Sequence, residues 1–159
     1  MKGYILKTGE HDEERLDSLF DVYNQGSQEF IKENVKKKNI KIIFDIGCGQ
    51  GSMSMWFANY FPNCQVYGID NSNEQIVIFN DKLKAYQNVH SFLGDITNKE
   101  ANFKAIGKAD LIYSRYLLLH LKDWESFFDN LYHLLNNHGT LIIEEPGFPW
   151  TSYPELKNT

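Results

Sequence analysis

The stretch FDIGCGQGS, Phe44 to Ser52, puts glycine at 47, 49 and 51 directly after an apolar run that carries Asp45. A tight strand-to-helix turn needs one or two glycines at most. Three in alternation imply that something outside the backbone comes very close to it, since glycine adopts positive φ and has no Cβ in the way. Two more acids stand at comparable places: Asp70 ends the run QVYGID, and Asp95 lies in the turn GDIT.

Two ligand classes need such a turn. A dinucleotide fingerprint, G-x-G-x-x-G, wants its third glycine one residue later, where this chain has Ser52. An acid just ahead of the first glycine is also unfavourable beside a pyrophosphate, because like charges would approach. A cationic, amino-acid-bearing ligand suits the pattern better. S-adenosylmethionine carries a sulfonium and an ammonium, and Asp45 would face that positive end. Asp70 would accept from the two ribose hydroxyls. Asp95 would accept from the adenine amine, with the Ile96 N–H donating to a ring nitrogen.

Elements must hold these residues in place. Ile40–Ile46, Gln65–Asp70, His90–Leu93, Ala109–Ser114 and Thr140–Ile143 are short, nearly continuous apolar runs, the pattern of strands buried on both faces. Between them lie helical stretches. Ser52–Phe61 ends before Pro62; Asn71-Ser72 caps a helix through Ile76, Phe79 and Leu83; Asp123 starts one that stops at Asn136-Asn137-His138-Gly139. Upstream, Leu16, Leu19, Phe20 and Tyr23 have helical spacing. Asn24-Gln25-Gly26 interrupts it, and Ser27 caps a second helix through Phe30, Ile31 and Val35. Alternating strands and helices predict an α/β fold, an open, doubly wound, mostly parallel sheet of about five strands with an N-terminal helical segment. In such a sheet ligands bind outside the carboxyl ends of the strands, where the acids and glycines fall.

With these residues in place, the chain resembles a class I S-adenosylmethionine-dependent methyltransferase of the Rossmann-like, small-molecule type. Asp45-x-Gly47-x-Gly49-x-Gly51 matches the first motif, and Asp70 the acid ending the second strand. Gly94-Asp95-Ile96 is similar to the adenine-contacting turn, and ADLIYSRYLLLHL (109–121) and LNNHGTLIIEEP (135–146) to the fourth- and fifth-strand segments. The resemblance runs over residues 4 to 147. It implies a methyl donor cofactor, S-adenosylmethionine, with S-adenosylhomocysteine as product. It also implies a small-molecule acceptor and donor contacts from Asp45, Gly47, Cys48, Gly49, Gly51, Asp70, Asn71, Asp95, Ile96 and Ser114. It implies seven strands, the last two an antiparallel hairpin that this sequence does not reach. Hence a truncated chain, or a non-catalytic donor-binding module, is the rival reading, and a nicotinamide oxidoreductase a more distant one. An uncovered fifth-strand edge is a pairing hazard, so a homodimer or a covering aromatic tail is expected there.

Methyl transfer from a sulfonium is an in-line displacement in which positioning supplies much of the rate, about 7–11 kcal/mol for well-oriented reactants. A base is needed only where the nucleophile carries a proton. Candidates near the methyl group follow strand four: Ser114, Arg115, Tyr116 and His120, with Glu144 and Glu145 ending strand five, one facing the pocket and the other solvent. His120, inside LLLHL, reads more simply as a packed histidine. Arg115 reads equally as a structural ion pair. Tyr23, Ser27 and Gln28 could reach the donor's methionine end, though helical packing and capping explain them too.

Composition limits the alternatives. The chain has 159 residues, 42% apolar and 23% charged, with net charge −5. That charge gives no basic field for nucleic acid, and Lys36-Lys37-Lys38 suits the end of a helix. Cys48 and Cys64, the only cysteines, form neither a disulfide framework nor a metal motif. No metal site is expected. No apolar run reaches the ~20 residues of a membrane span, and no signal core opens the chain, so the expectation is a cytoplasmic protein. One domain is expected over 1–159: a helical, lid-like segment (1–39), a donor-binding core (40–145) and an irregular tail (146–159).

Overall fold

The computed structural model describes residues 24–37, 40–98 and 105–147. The chain divides into two compact units, Met1–Lys38 and Asn39–Thr159. Within the first, residues 24–34 form helix α1. Asn24, Ser27, Ile31 and Val35 are buried, at the three-to-four-residue spacing of one helical face. This corrects two expectations. Asn24-Gln25-Gly26 does not interrupt the helix, and Ser27 sits inside it rather than capping it. Burial of one face outweighs the ~1 kcal/mol that Gly26 costs a helix interior. The helix expected through Leu16–Tyr23, and the tail beyond Gly147, lie outside the described residues.

In the second unit the order is β1 (Ile42–Ile46), α2 (Ser52–Tyr60), β2 (Gln65–Asp70), α3 (Asn73–Lys82), β3 (Val89–Leu93), β4 (Ala109–Arg115), α4 (Trp124–Leu134) and β5 (Leu135–Glu144). The strands form one sheet in the order β3-β2-β1-β4-β5, and every pairing is parallel. Two helices start where their caps stand. Ser72 Oγ accepts from the Gln75 N–H, and Asp123 Oδ1 accepts from the Ser126 N–H. α2 has no side-chain cap and begins directly from Gly51.

Burial on both faces explains the apolar strands. Phe44, Ile46, Ile69 and Ile112 form one core cluster with Phe127, Leu131 and Leu134 of α4. On the other face Phe57 of α2 meets Tyr113 edge-on, ring centroids 5.3 Å apart. Asn130, buried on α4, donates through Nδ2 to the Ile96 carbonyl at 2.7 Å, tying the turn after β3 to this helix. Asn130→Ala leaves that carbonyl without its donor. The expected loss is about 1–3 kcal/mol, read as a lower urea midpoint at unchanged slope.

β5 differs from the expectation that it begins at Thr140 after a turn at Asn136–Gly139. Pairing already starts at Leu135, opposite Ala109, and resumes at Thr140 opposite Leu111. An advance of two residues on β4 is thus matched by five on β5, a bulge. Asp110 anchors it. Its Oδ1 accepts from Asn136 Nδ2 at 2.6 Å, while Oδ2 accepts from the Lys41 and Ile42 N–H groups. The amino ends of β1, β4 and β5 are thereby fixed together, and with them the register at the opposite edge.

Candidate functional site

Register gathers the carboxyl ends of the strands along one edge. Ile46 pairs with both Ile69 and Ser114, Asp70 with Leu93, and Arg115 with Glu144. Strand order reverses between β1 and β4, the switch point at which open α/β sheets bind ligands.

The glycine loop crosses this edge. Gly47 and Cys48 both donate to the Ile69 carbonyl, at 2.8 and 3.2 Å, and Gly51 donates back to Cys48 O at 2.9 Å. All three glycines have positive φ: 73° at Gly47, 52° at Gly49 and 79° at Gly51. They do different things. A Cβ on Gly51 would lie 1.9 Å from the Phe79 ring, and one on Gly47 would lie 3.2 Å from the Leu117 methyls. Those two make room for the protein's own side chains. Only at Gly49 is the space open, with Gln75 Oε1 the nearest atom at 3.8 Å. The close approach inferred from three glycines therefore narrows to one.

Asp70 organises the loop. Its Oδ2 accepts from the Gly49 N–H at 2.8 Å and its Oδ1 from the Ser72 N–H at 2.9 Å. Each oxygen keeps a lone pair beyond its backbone partner. Asn71 beside it is exposed.

Asp45 lies deeper. It is buried, on the α2 side of β1, with Oδ2 accepting from Ser54 Oγ at 2.5 Å. Burial pushes its pKa up from 3.8 to about 6; the Ser54 hydrogen bond and the Arg115 charge pull it down, and Asp70 raises it. One of its oxygens is thus committed to the first turn of α2. Cys48 is mostly enclosed, and burial together with Asp45 and Asp70 raises its thiol pKa steeply, so it stays a neutral thiol.

After β3, Asp95 Oδ1 accepts from the Thr97 N–H and hydroxyl at 2.8 and 2.7 Å, an exposed Asx turn. Ile96 is buried in the core cluster. After β4, Arg115 lies 5.6 Å from the Tyr116 ring. Tyr116, at φ 56°, is the non-glycine residue with positive φ among those described. His120 closes a 3₁₀ turn, Leu118–His120, and is exposed, which corrects the packed reading. Glu144 and Glu145 are both partly buried, so neither simply faces solvent. Ser114 is fully buried. Nothing in the sequence marks Ser54, Phe79, Gln75 or Leu117 as site residues, although Ser54 holds Asp45 and Phe79 fills the space beneath Gly51. No group of three or more His, Cys, Asp or Glu side chains suited to a metal occurs among the described residues.

A family described as "Methyltransferase domain" matches residues 44–141. The chain belongs to that family, and its sheet order is that of the Rossmann-like, S-adenosylmethionine-dependent class. It is 31% identical to a pavine N-methyltransferase of Thalictrum flavum subsp. glaucum, over 70% of this chain and 31% of that protein. It is 32% identical to a trans-aconitate 2-methyltransferase of Escherichia coli O7:K1, over 70% of this chain and 42% of that protein. Among solved structures, coclaurine N-methyltransferase bound to N-methylheliamine and SAH aligns with a TM-score of 0.60 at 24% identity. That alignment covers 79% of this chain and 34% of the other. The chain thus spans less than half the length of these relatives.

Proposed function

We propose that this chain binds S-adenosylmethionine at the carboxyl edge of β1, β2 and β4 and directs methyl transfer to a small-molecule acceptor. The observation that carries this reading is Asp70: a carboxylate at the switch point, preset by Gly49 and Ser72, with one lone pair on each oxygen left for adjacent ribose hydroxyls. The residues present fit the donor. Gly49 leaves a cradle that a Cβ would fill, and the Asx turn at Asp95 keeps Oδ2 for an exocyclic amine. The negative charge of Asp45 lies beneath the loop, reaching a positive ligand through space rather than by direct contact.

The bound donor supplies a methyl group already activated by sulfonium, so the chain's residues need only orient and shield. Arg115 and Tyr116 shape the wall after β4. The exposed imidazole of His120 would take the proton from an acceptor that carries one. Two free cysteines suit a reducing cytoplasm. No helix among the described residues is long and apolar enough to cross a membrane. β5 pairs only with β4 among the described residues, so self-association through its open edge belongs to the same proposal.

Titration calorimetry with S-adenosylhomocysteine, using NADH as control, tests the donor site. Asp70→Asn keeps one acceptor but sets an amide NH2 against the Gly49 or Ser72 N–H. It should therefore loosen the glycine loop, lower the urea midpoint modestly and weaken binding by at least about tenfold, the scale of a hydrogen bond to a charged group. Saturable NADH binding without S-adenosylhomocysteine binding would sink the reading. His120→Ala should leave donor affinity unchanged while slowing transfer to a protonated nucleophile.

A further inference from the structure

We propose that Glu145 and Ser114 form a subsite for a protonated amine of the methyl acceptor, an inference that rests on the donor-binding reading above. Glu145 divides its carboxylate. Oε1 accepts from the Leu117 and Leu118 N–H groups at 3.0 and 2.9 Å, capping the turn after β4 from the end of β5. Oε2 is sealed from solvent and has no hydrogen-bond partner. Ser114 Oγ is in the same condition, on a residue that is itself fully buried.

Register brings the two together. Ser114 pairs with Ile143 across the β4–β5 ladder, and side chains alternate along a strand. Ser114, Ile143 and then Glu145 therefore share the α4 side, where Ile143, Leu117 and Leu118 adjoin the core cluster. Leu117 also lies against Gly47, its methyls 3.2 Å from where a Cβ would be, so the subsite borders the donor loop.

Buried polar atoms without partners are uncommon and call for an explanation. Here the unpaired set is a carboxylate oxygen, which only accepts, and a hydroxyl, which accepts and donates. An ammonium or secondary amine complements both and carries the opposite charge. An alcohol can donate to Oε2 and accept from the Ser114 hydroxyl but brings no opposite charge, and a carboxylate meets like charge. The ligand group gains access when the turn after β4 lifts. Tyr116 supplies the strained backbone position from which that movement releases energy.

The donor's own ammonium has the same chemistry, so the test separates the two sources. With S-adenosylhomocysteine saturating, 2-phenylethylamine, 2-phenylethanol and 3-phenylpropionate are titrated into the parent chain, Glu145→Gln and Ser114→Ala. Glutamine keeps an oxygen for Leu117 and Leu118 and turns the other position into a donor, so the fold is retained. The amine should bind the parent at least about tenfold more tightly than the other two. Glu145→Gln should abolish that preference at unchanged S-adenosylhomocysteine affinity, and Ser114→Ala should reduce it severalfold. Equal or tighter binding of the acid overturns the proposal. So does a preference that survives Glu145→Gln, or failure of all three probes to saturate in the millimolar range while S-adenosylhomocysteine binds. Loss of S-adenosylhomocysteine affinity in Glu145→Gln would assign the subsite to the donor instead. Absence of S-adenosylhomocysteine binding by the parent removes the reading beneath the proposal.

Discussion

Gly51→Ala is expected to lower stability by about 3–5 kcal/mol, whereas Gly49→Ala in the same loop costs about 1–2 kcal/mol and loses donor affinity instead. Both positions are left-handed, at φ 79° and 52°, so each substitution carries the backbone penalty for a side chain there. They differ in what the new methyl meets. At Gly51 it lands 1.9 Å from Cε2 of Phe79, a fully buried ring that a Cβ on Gly68 would also strike, at 2.5 Å. Phe79 has no room to retreat, so α3 must shift. A loss of that size is a large part of the ~5–15 kcal/mol that holds a domain folded. At Gly49 the methyl enters open space, the space proposed for the ligand. Urea denaturation and S-adenosylhomocysteine calorimetry on both variants give the comparison. A Gly51→Ala midpoint close to the parent's would refute the role of Phe79. Unimpaired binding by Gly49→Ala would remove the cradle.

Alternating glycines marked the loop, and the apolar runs marked five strands, because a parallel sheet buried on both faces leaves few polar residues inside its strands. Asp70 was legible for the same reason, as an acid where an apolar run stops. The same uniformity hid other facts. In IKIIFDI nothing reveals which face of β1 Asp45 occupies, so its commitment to Ser54 could not be foreseen. The partner of Gly51 is Phe79, on another helix, and only the fold brings them together. The sequence predicts a late start for β5 because Asn136–Gly139 has the composition of a turn. Pairing at Leu135 and the Asn136–Asp110 hydrogen bond are tertiary and override that local signal. LLLHL is apolar and predicts a packed His120, yet a single 3₁₀ turn exposes Leu119 and His120, and three residues are too few to display a period. At α1, an apparent break at Gly26 gave way to burial of a face.

Asp45→Asn should make the protein more stable at pH 8 while weakening its hold on the donor. The pKa of Asp45 is raised by burial from 3.8 to about 6, so the folded state binds this proton more tightly than the unfolded chain does. Below pH 3.8 both states are protonated and the group contributes nothing to the balance. As pH rises through 3.8 towards 6 the unfolded chain ionises first, and stability falls; above pH 6 the folded state bears the full cost of a buried charge. At about 1.4 kcal/mol per pH unit, that cost is roughly 3 kcal/mol. Asparagine removes the charge and still accepts from Ser54 Oγ, but its new amide N–H needs an acceptor, so a gain of about 1–3 kcal/mol is expected at pH 8. At pH 4 the charge cost is nearly gone while the amide cost remains, so the variant should be equal to the parent or less stable by up to about 2 kcal/mol. The difference between parent and variant isolates Asp45 from every other group that titrates in both. A gap that stays constant between pH 4 and pH 8 would show that Asp45 is not the titrating group. A carboxylate kept at such expense makes physical sense only if its charge is used, and the positive ligand proposed above the loop is what would use it. S-adenosylhomocysteine affinity should therefore fall in Asp45→Asn even as the midpoint of unfolding rises, the opposite movements expected where function is maintained against stability.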